Sequence, residues 1–149
     1  MDAQTPSPPL VISSRLYTPF QVRLAAFLGG PFAAVYTLHS NFKVLGKDRE
    51  KRLTLYWGIG FIIALCALLP FLPDKFPNIV IPLAYSIAAG GIAASKQLSK
   101  EAILASQIYI RHSGWKITIV CVVSIAAFCA IIFPLLFALD HFGLLHLEE

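Results

Sequence analysis

Three cysteines, four histidines and eight carboxylates are the residues from which this chain could build a nucleophile or a metal centre. Their spacing assembles neither. Cys66, Cys121 and Cys129 all fall inside apolar runs and form no CxxC pair. Cys121 and Cys129 share a helical face about two turns apart, but a metal site would want histidine or carboxylate beside them, and none is close in sequence. They read as small core residues. His39, His112, His141 and His146 lie near the ends of apolar runs, two toward each surface, without ligand spacing inside one helix. Asp48, Glu50, Asp74, Glu101 and Asp140 sit in connections or at helix ends. No serine, cysteine or carboxylate is set beside a base, so the expectation is a protein that is not an enzyme and holds no cofactor or metal.

What remains are residues suited to contact. Arg23 is the only charge inside an expected span. It either reaches the headgroups from one turn below the interface or meets a partner, with Tyr85 and Ser86 as candidates within the chain. Gly29-Gly30-Pro31 stands in mid-span, where two glycines before a proline weaken the helix and free a carbonyl, so a kink is expected there. Such a break either packs helices or lines a ligand site. Small residues recur every four positions at Ala26, Gly30 and Ala34, at Gly60 and Ala64, and at Ser86, Gly90 and Ala94. Ala126 and Ala130 add a weaker track. In lipid such tracks bring helices together. Arg23, Gly29, Gly30, Pro31, Gly60, Ser86 and Gly90 are therefore the candidates for helix packing or partner binding.

The elements that must carry these residues are dictated by composition. Hydrophobic residues make up 57% of the 149 and charged residues 13%, against about 45–50% and about 25% in soluble domains. A globule of this size lacks the interior to hide such an excess, and a bilayer does not. The net charge of +4 comes from basic residues scattered between apolar runs, which is not the continuous basic face that nucleic acid requires.

The fold expected is an all-α integral membrane bundle of four transmembrane helices forming one domain over residues 17–149, after a disordered tail over residues 1–16. Thr18-Pro19 is a cap followed by a first-turn proline and opens the first span, 19–38. The second, 53–72, has twenty residues without a charge, which is enough to cross about 30 Å of hydrocarbon. Pro73-Asp74-Lys75-Phe76-Pro77-Asn78 reads as a tight turn into a short third span, 79–94. The fourth is 117–139, with Pro134 near its far end. Between spans three and four, Lys96, Lys100, Gln107 and Arg111 follow one helical stripe and Leu98, Ala102, Ala105 and Tyr109 another, which predicts a short amphipathic helix at the cytoplasmic headgroups or as a partner-binding arm.

With four crossings, nine basic residues from Lys43 to Arg52 and from Lys96 to Lys116 share one side. Arg15, Arg23 and Lys75 take the other, with Asp140, Glu148 and Glu149. Cytoplasmic loops collect lysine and arginine, so both termini are expected outside the cytoplasm.

At Tyr17-Thr18-Pro19-Phe20-Gln21, Phe27-Leu28-Gly29-Gly30-Pro31 and Asn41-Phe42-Lys43-Val44-Leu45-Gly46 the chain resembles small uncharacterised bacterial multi-pass membrane proteins. The resemblance covers the first third and implies a bacterial inner membrane but no activity. The functional expectation is a non-catalytic protein that touches membrane lipid and acts by helix contacts with another membrane protein, as a small subunit of a complex or as an immunity protein against a membrane-inserting toxin. The alternative is a homo-oligomeric pore or small transporter.

Overall fold

Thr18 and Gln21 start the first helix together. The Thr18 hydroxyl accepts from the Gln21 N–H at 3.2 Å, and the Gln21 side-chain oxygen accepts from the Thr18 N–H at 3.0 Å. Pro19 then occupies the first turn, where a missing N–H is harmless. The computed structural model describes residues 14–68, 77, 79–106 and 108–141. Along them run β1 (Ser14–Leu16), α1 (Pro19–Val44), α2 (Asp48–Leu68), α3 (Val80–Lys96), α4 (Lys100–Ala105), β2 (Tyr109–Arg111) and α5 (Gly114–His141). The chain is mostly helical. Mean hydropathy and length make α2 and α5 capable of crossing a membrane, and α3 is a shorter apolar helix.

The kinked membrane crossing expected over residues 19–38 takes a different form. The side chain of Asn41 hydrogen-bonds the backbone of Tyr17 on both sides, although the two are 24 positions apart. A straight helix would separate them by about 36 Å. Helix α1 is instead a hairpin of two arms, residues 19–29 and 31–44, which enters and leaves the bundle at the same end. The fold-back sits at Gly30, whose φ of 76° and ψ of −169° belong to a region that only glycine occupies cheaply. Pro31 then opens the second arm as Pro19 opens the first, so the expected kink is present but amounts to a reversal. The arms are about 16 Å and about 21 Å long, roughly half and two-thirds of a hydrocarbon thickness.

The disordered tail was expected to reach residue 16, but Ser14–Leu16 pairs in parallel with Tyr109–Arg111 in a two-stranded sheet. This small sheet corrects the all-α expectation. Ser14 N–H donates to the Ile108 carbonyl and His112 N–H to the Leu16 carbonyl, both at 3.0 Å. The strands are parallel because each feeds a helix, α1 or α5, that enters the bundle from this end.

The amphipathic helix expected across residues 96–112 is also interrupted. Helix α3 runs through Lys96, Ser99 caps the short α4, and Ser106 ends it in extended conformation. The Ser106 hydroxyl accepts the N–H groups of Ile108 and Tyr109, which competes with continued helix and leads into β2. Gln107, the tail before residue 14, the turn from Pro73 to Phe76 with Asn78, residues 69–72 and the acidic end at Glu148 and Glu149 lie outside the described residues.

The core is built around α1. Both arms contribute to one buried cluster, with Val22, Ala25 and Ala26 from the first and Ala33, Ala34, Leu38 and Phe42 from the second. Ala89 and Ala93 of α3 and Ile117 and Cys121 of α5 complete it. Helices α2, α3 and α5 each pack on the hairpin, which acts as a central post. Small side chains at these contacts let the backbones approach.

Candidate functional site

At the end where α1 enters and leaves, a polar clasp closes the bundle. The Asn41 amide Nδ2 donates to the Tyr17 carbonyl and to the Gln97 side-chain oxygen, each at 2.7 Å, while its Oδ1 accepts from the Tyr17 N–H at 2.8 Å. Gln97 Nε2 donates in turn to the Leu38 carbonyl at 3.1 Å. Gln21 Nε2 donates to the His112 carbonyl at 2.8 Å, which ties the first arm to the start of α5. The His112 ring stacks on Tyr17 with centroids 4.1 Å apart. Its Nδ1 is buried without a hydrogen-bond partner among the described residues. Burial first, and then the positive charges of Lys116 and Arg15, lower the His112 pKa from its ordinary 6.5. Its surroundings therefore favour the neutral imidazole over the charged one.

Sequence reasoning missed this clasp. The Thr-x-x-Gln spacing of Thr18 and Gln21 is a capping-box signal that was there to be read. Asn41 and Gln97 carry no such signal, because their partners lie far away along the chain.

The candidates named from sequence are distributed around the hairpin. Gly29 lies against α5, where an added Cβ would come within 2.8 Å of the Cys121 Cα. Pro31 is buried, and Gly30 forms the tip beside the Tyr85 hydroxyl. Arg23 is exposed and lies across Gly90 of α3, where a Cβ would meet its Nε at 2.8 Å. Ser86 is buried one turn away, its hydroxyl donating to the Leu83 carbonyl at 2.8 Å. These residues do gather about one post. Gly60 does not: nothing within 4 Å would meet a side chain there. On α2 it is Gly58 that meets the post, at Val35. Helix α2 turns Gly60 and Ala64 outward because its buried residues are Ile62, Leu65 and Cys66.

Because the outer helices pack on the hairpin, lateral clefts open between them. One, of about 330 Å³, lies between the second arm and α5 and is lined by Phe32, Tyr36, Val120 and Val123. Another of about 330 Å³ lies between α2 and α3, floored by Pro31, Ala34, Val35 and Leu38 and walled by Trp57, Phe61 and Tyr85. Its inner limit is the edge-on contact of Phe61 with Tyr85, centroids 6.0 Å apart. Toward the clasp it runs into a cavity of about 530 Å³ bounded by Arg49, Glu50 and Lys96, and the two share Thr54, Trp57 and Ile92.

No family model, curated protein or solved structure matches this chain.

Proposed function

We propose that this chain is a small non-catalytic multi-pass protein of the bacterial inner membrane that acts through its lateral surface, by helix contacts with another membrane protein. The observation that carries the reading is how little of the outer helices the protein itself covers. Helix α5 buries only Ile117, Cys121 and Ser124, a single stripe against the hairpin. Phe133 and Phe137 stand 68% and 74% exposed on its distal half. Trp57 and Trp115 are similarly bare, at 76% and 71%. A continuous apolar surface of this extent belongs to lipid and to partner helices.

The fold-back of α1 revises the expected orientation. With α1 returning to its own side, β1, the α1–α2 connection, α4, β2 and the start of α5 share one face. Arg15 then joins Lys43, Lys47, Arg49, Lys51, Arg52, Lys96, Lys100, Arg111 and Lys116 on that face, and Arg23 lies one turn inside it. Lys75 lies in the sequence between α2 and α3, outside the described residues. The positive-inside rule puts the basic face in the cytoplasm, so β1 is cytoplasmic and the end of α5 is outside. A fluorescent reporter that matures only in the cytoplasm, fused ahead of β1, and a phosphatase active only outside, fused after α5, are both expected to be active. Activity of the exchanged pair instead would overturn the orientation.

Partner contact is tested by placing a photo-crosslinking amino acid at Phe133 or Phe137 in living cells. A discrete protein adduct is expected at these positions, and adducts to lipid alone at both would sink the reading. Reconstituted liposomes are expected to show no ion flux above background. The hairpin tip is flanked by Phe27, Leu28 and Phe32, which suits packing better than conduction.

A further inference from the structure

The α2–α3 groove has the dimensions and polarity of one lipid molecule in one leaflet. Along α3 it extends from Lys96 at the mouth to Tyr85 at the closed end. The eleven steps between them rise about 16 Å, against about 15 Å for half of a 30 Å hydrocarbon layer. The inner part is lined by apolar side chains, apart from the Thr54 and Tyr85 hydroxyls and the Trp57 indole N–H. The Thr54 hydroxyl is turned inward to its own helix, donating to the Glu50 carbonyl at 2.8 Å. The mouth carries Arg49 and Lys96 with Glu50 between the helices. Lys47 adds a third cation there, its ammonium donating to the Lys96 carbonyl. Charge at one end, an apolar slot of leaflet depth below it and a closed floor fit an anionic amphiphile with an acyl chain.

We infer that the groove is a binding site for an anionic glycerophospholipid of the cytoplasmic leaflet, its phosphate held between Arg49 and Lys96 and one acyl chain lying on Pro31, Ala34 and Val35. The inference rests on the membrane reading above. Cations close to a membrane surface attract anionic headgroups, and the slot converts that diffuse attraction into a fixed register. The cleft against α5 makes an internal comparison. It has a similar volume and an apolar lining, but no basic residue among those that line it, so it would take acyl chains without choosing a headgroup.

Trp57 lines the groove and Trp115 does not, and these are the two tryptophans of the chain. The experiment is quenching of Trp57 in a Trp115→Phe background, in nanodiscs of phosphatidylcholine doped with phosphatidylglycerol that is brominated on its acyl chains, against nanodiscs doped with equally brominated phosphatidylcholine. Brominated phosphatidylglycerol is expected to quench at several-fold lower mole fraction. Arg49→Ala and Lys96→Ala are each expected to reduce that preference, by about fivefold per cation at most. Ala88→Phe, which fills the groove from an exposed position of α3, is expected to abolish the preference while circular dichroism stays unchanged.

Equal quenching by the two lipids, or a preference untouched by Ala88→Phe, would overturn the site. If neither lipid quenches and Trp57 is open to an aqueous quencher, the membrane reading fails with it, and the two failures are told apart by that aqueous accessibility.

Discussion

Asn41 holds Tyr17 by both of its backbone polar groups, joining the end of the second arm of α1 to the residue that precedes the first. Among the described residues nothing else ties the two arms so directly. An asparagine side chain matches the spacing of a peptide N–H and C=O, and here it does for the two arms what a sheet ladder does for strands.

Asn41→Leu keeps the volume and removes all three of its hydrogen bonds. The buried N–H and C=O of Tyr17 lose their partner, at a cost of about 1–3 kcal/mol for each unsatisfied group. A lowered thermal midpoint in mild detergent is expected, together with faster amide exchange at Tyr17. An unchanged midpoint would mean that the clasp does not hold the arms.

The glycines separate into those that need to be glycine and those that do not. Gly30→Ala forces a side chain into a backbone region costing about 1–3 kcal/mol. Gly60→Ala on the open face of α2 should be neutral or stabilising by up to about 1 kcal/mol. Thermal denaturation of the pair in the same detergent reads the contrast, which would be lost if Gly30 were merely a helical kink.

Gly29 and Gly90 are both close contacts, but against different atoms. Gly29→Ala meets the Cys121 backbone and should cost about 1–3 kcal/mol through overpacking. Gly90→Ala meets mainly the Arg23 side chain, which can swing aside, so the loss should be smaller. Adding Arg23→Ala should relieve most of it, giving a combined effect below the sum of the two.

Acid should loosen the clasp end through His112. Its folded-state pKa is lowered, so as pH falls through 6.5 the unfolded chain takes up the proton first. Stability is then unaffected by this group above that pH and declines below it, until the folded-state pKa is passed. His112→Phe preserves a ring against Tyr17 and should flatten this part of the pH profile. Thermal midpoints from about pH 7.5 to about pH 5 are the measurement, and an acid loss of the same size in both proteins would clear His112.

Much of the helix pattern is legible in the residues themselves. The Thr18-Pro19 start, the apolar run of α2 and the long uncharged stretch of α5 all follow from local chemistry. Gly29-Gly30-Pro31 announces a break but not its angle. A glycine before a proline is compatible with a bend or a complete reversal, and the choice is made by Asn41, Gln97 and Gln21, whose partners lie 24, 56 and 91 positions away. The strand at Ser14–Leu16 was illegible for the same reason. Three residues have no periodicity, and their pairing depends on where α1 and α5 begin. Gly60 shows the converse, because small residues at regular spacing describe a face without saying which neighbour occupies it, and no residue of this chain packs there.

The hairpin also sets the order in which the protein can be made. Its arms leave the ribosome before the helices that bury them, and each is too short to cross a bilayer alone. Until Gln97 and His112 have been synthesised, Asn41 has Tyr17 alone to hold and Gln21 has Thr18 alone. The hairpin can therefore close on itself through Asn41 and Tyr17 first, while its packing faces stay uncovered until α2, α3 and α5 have been made.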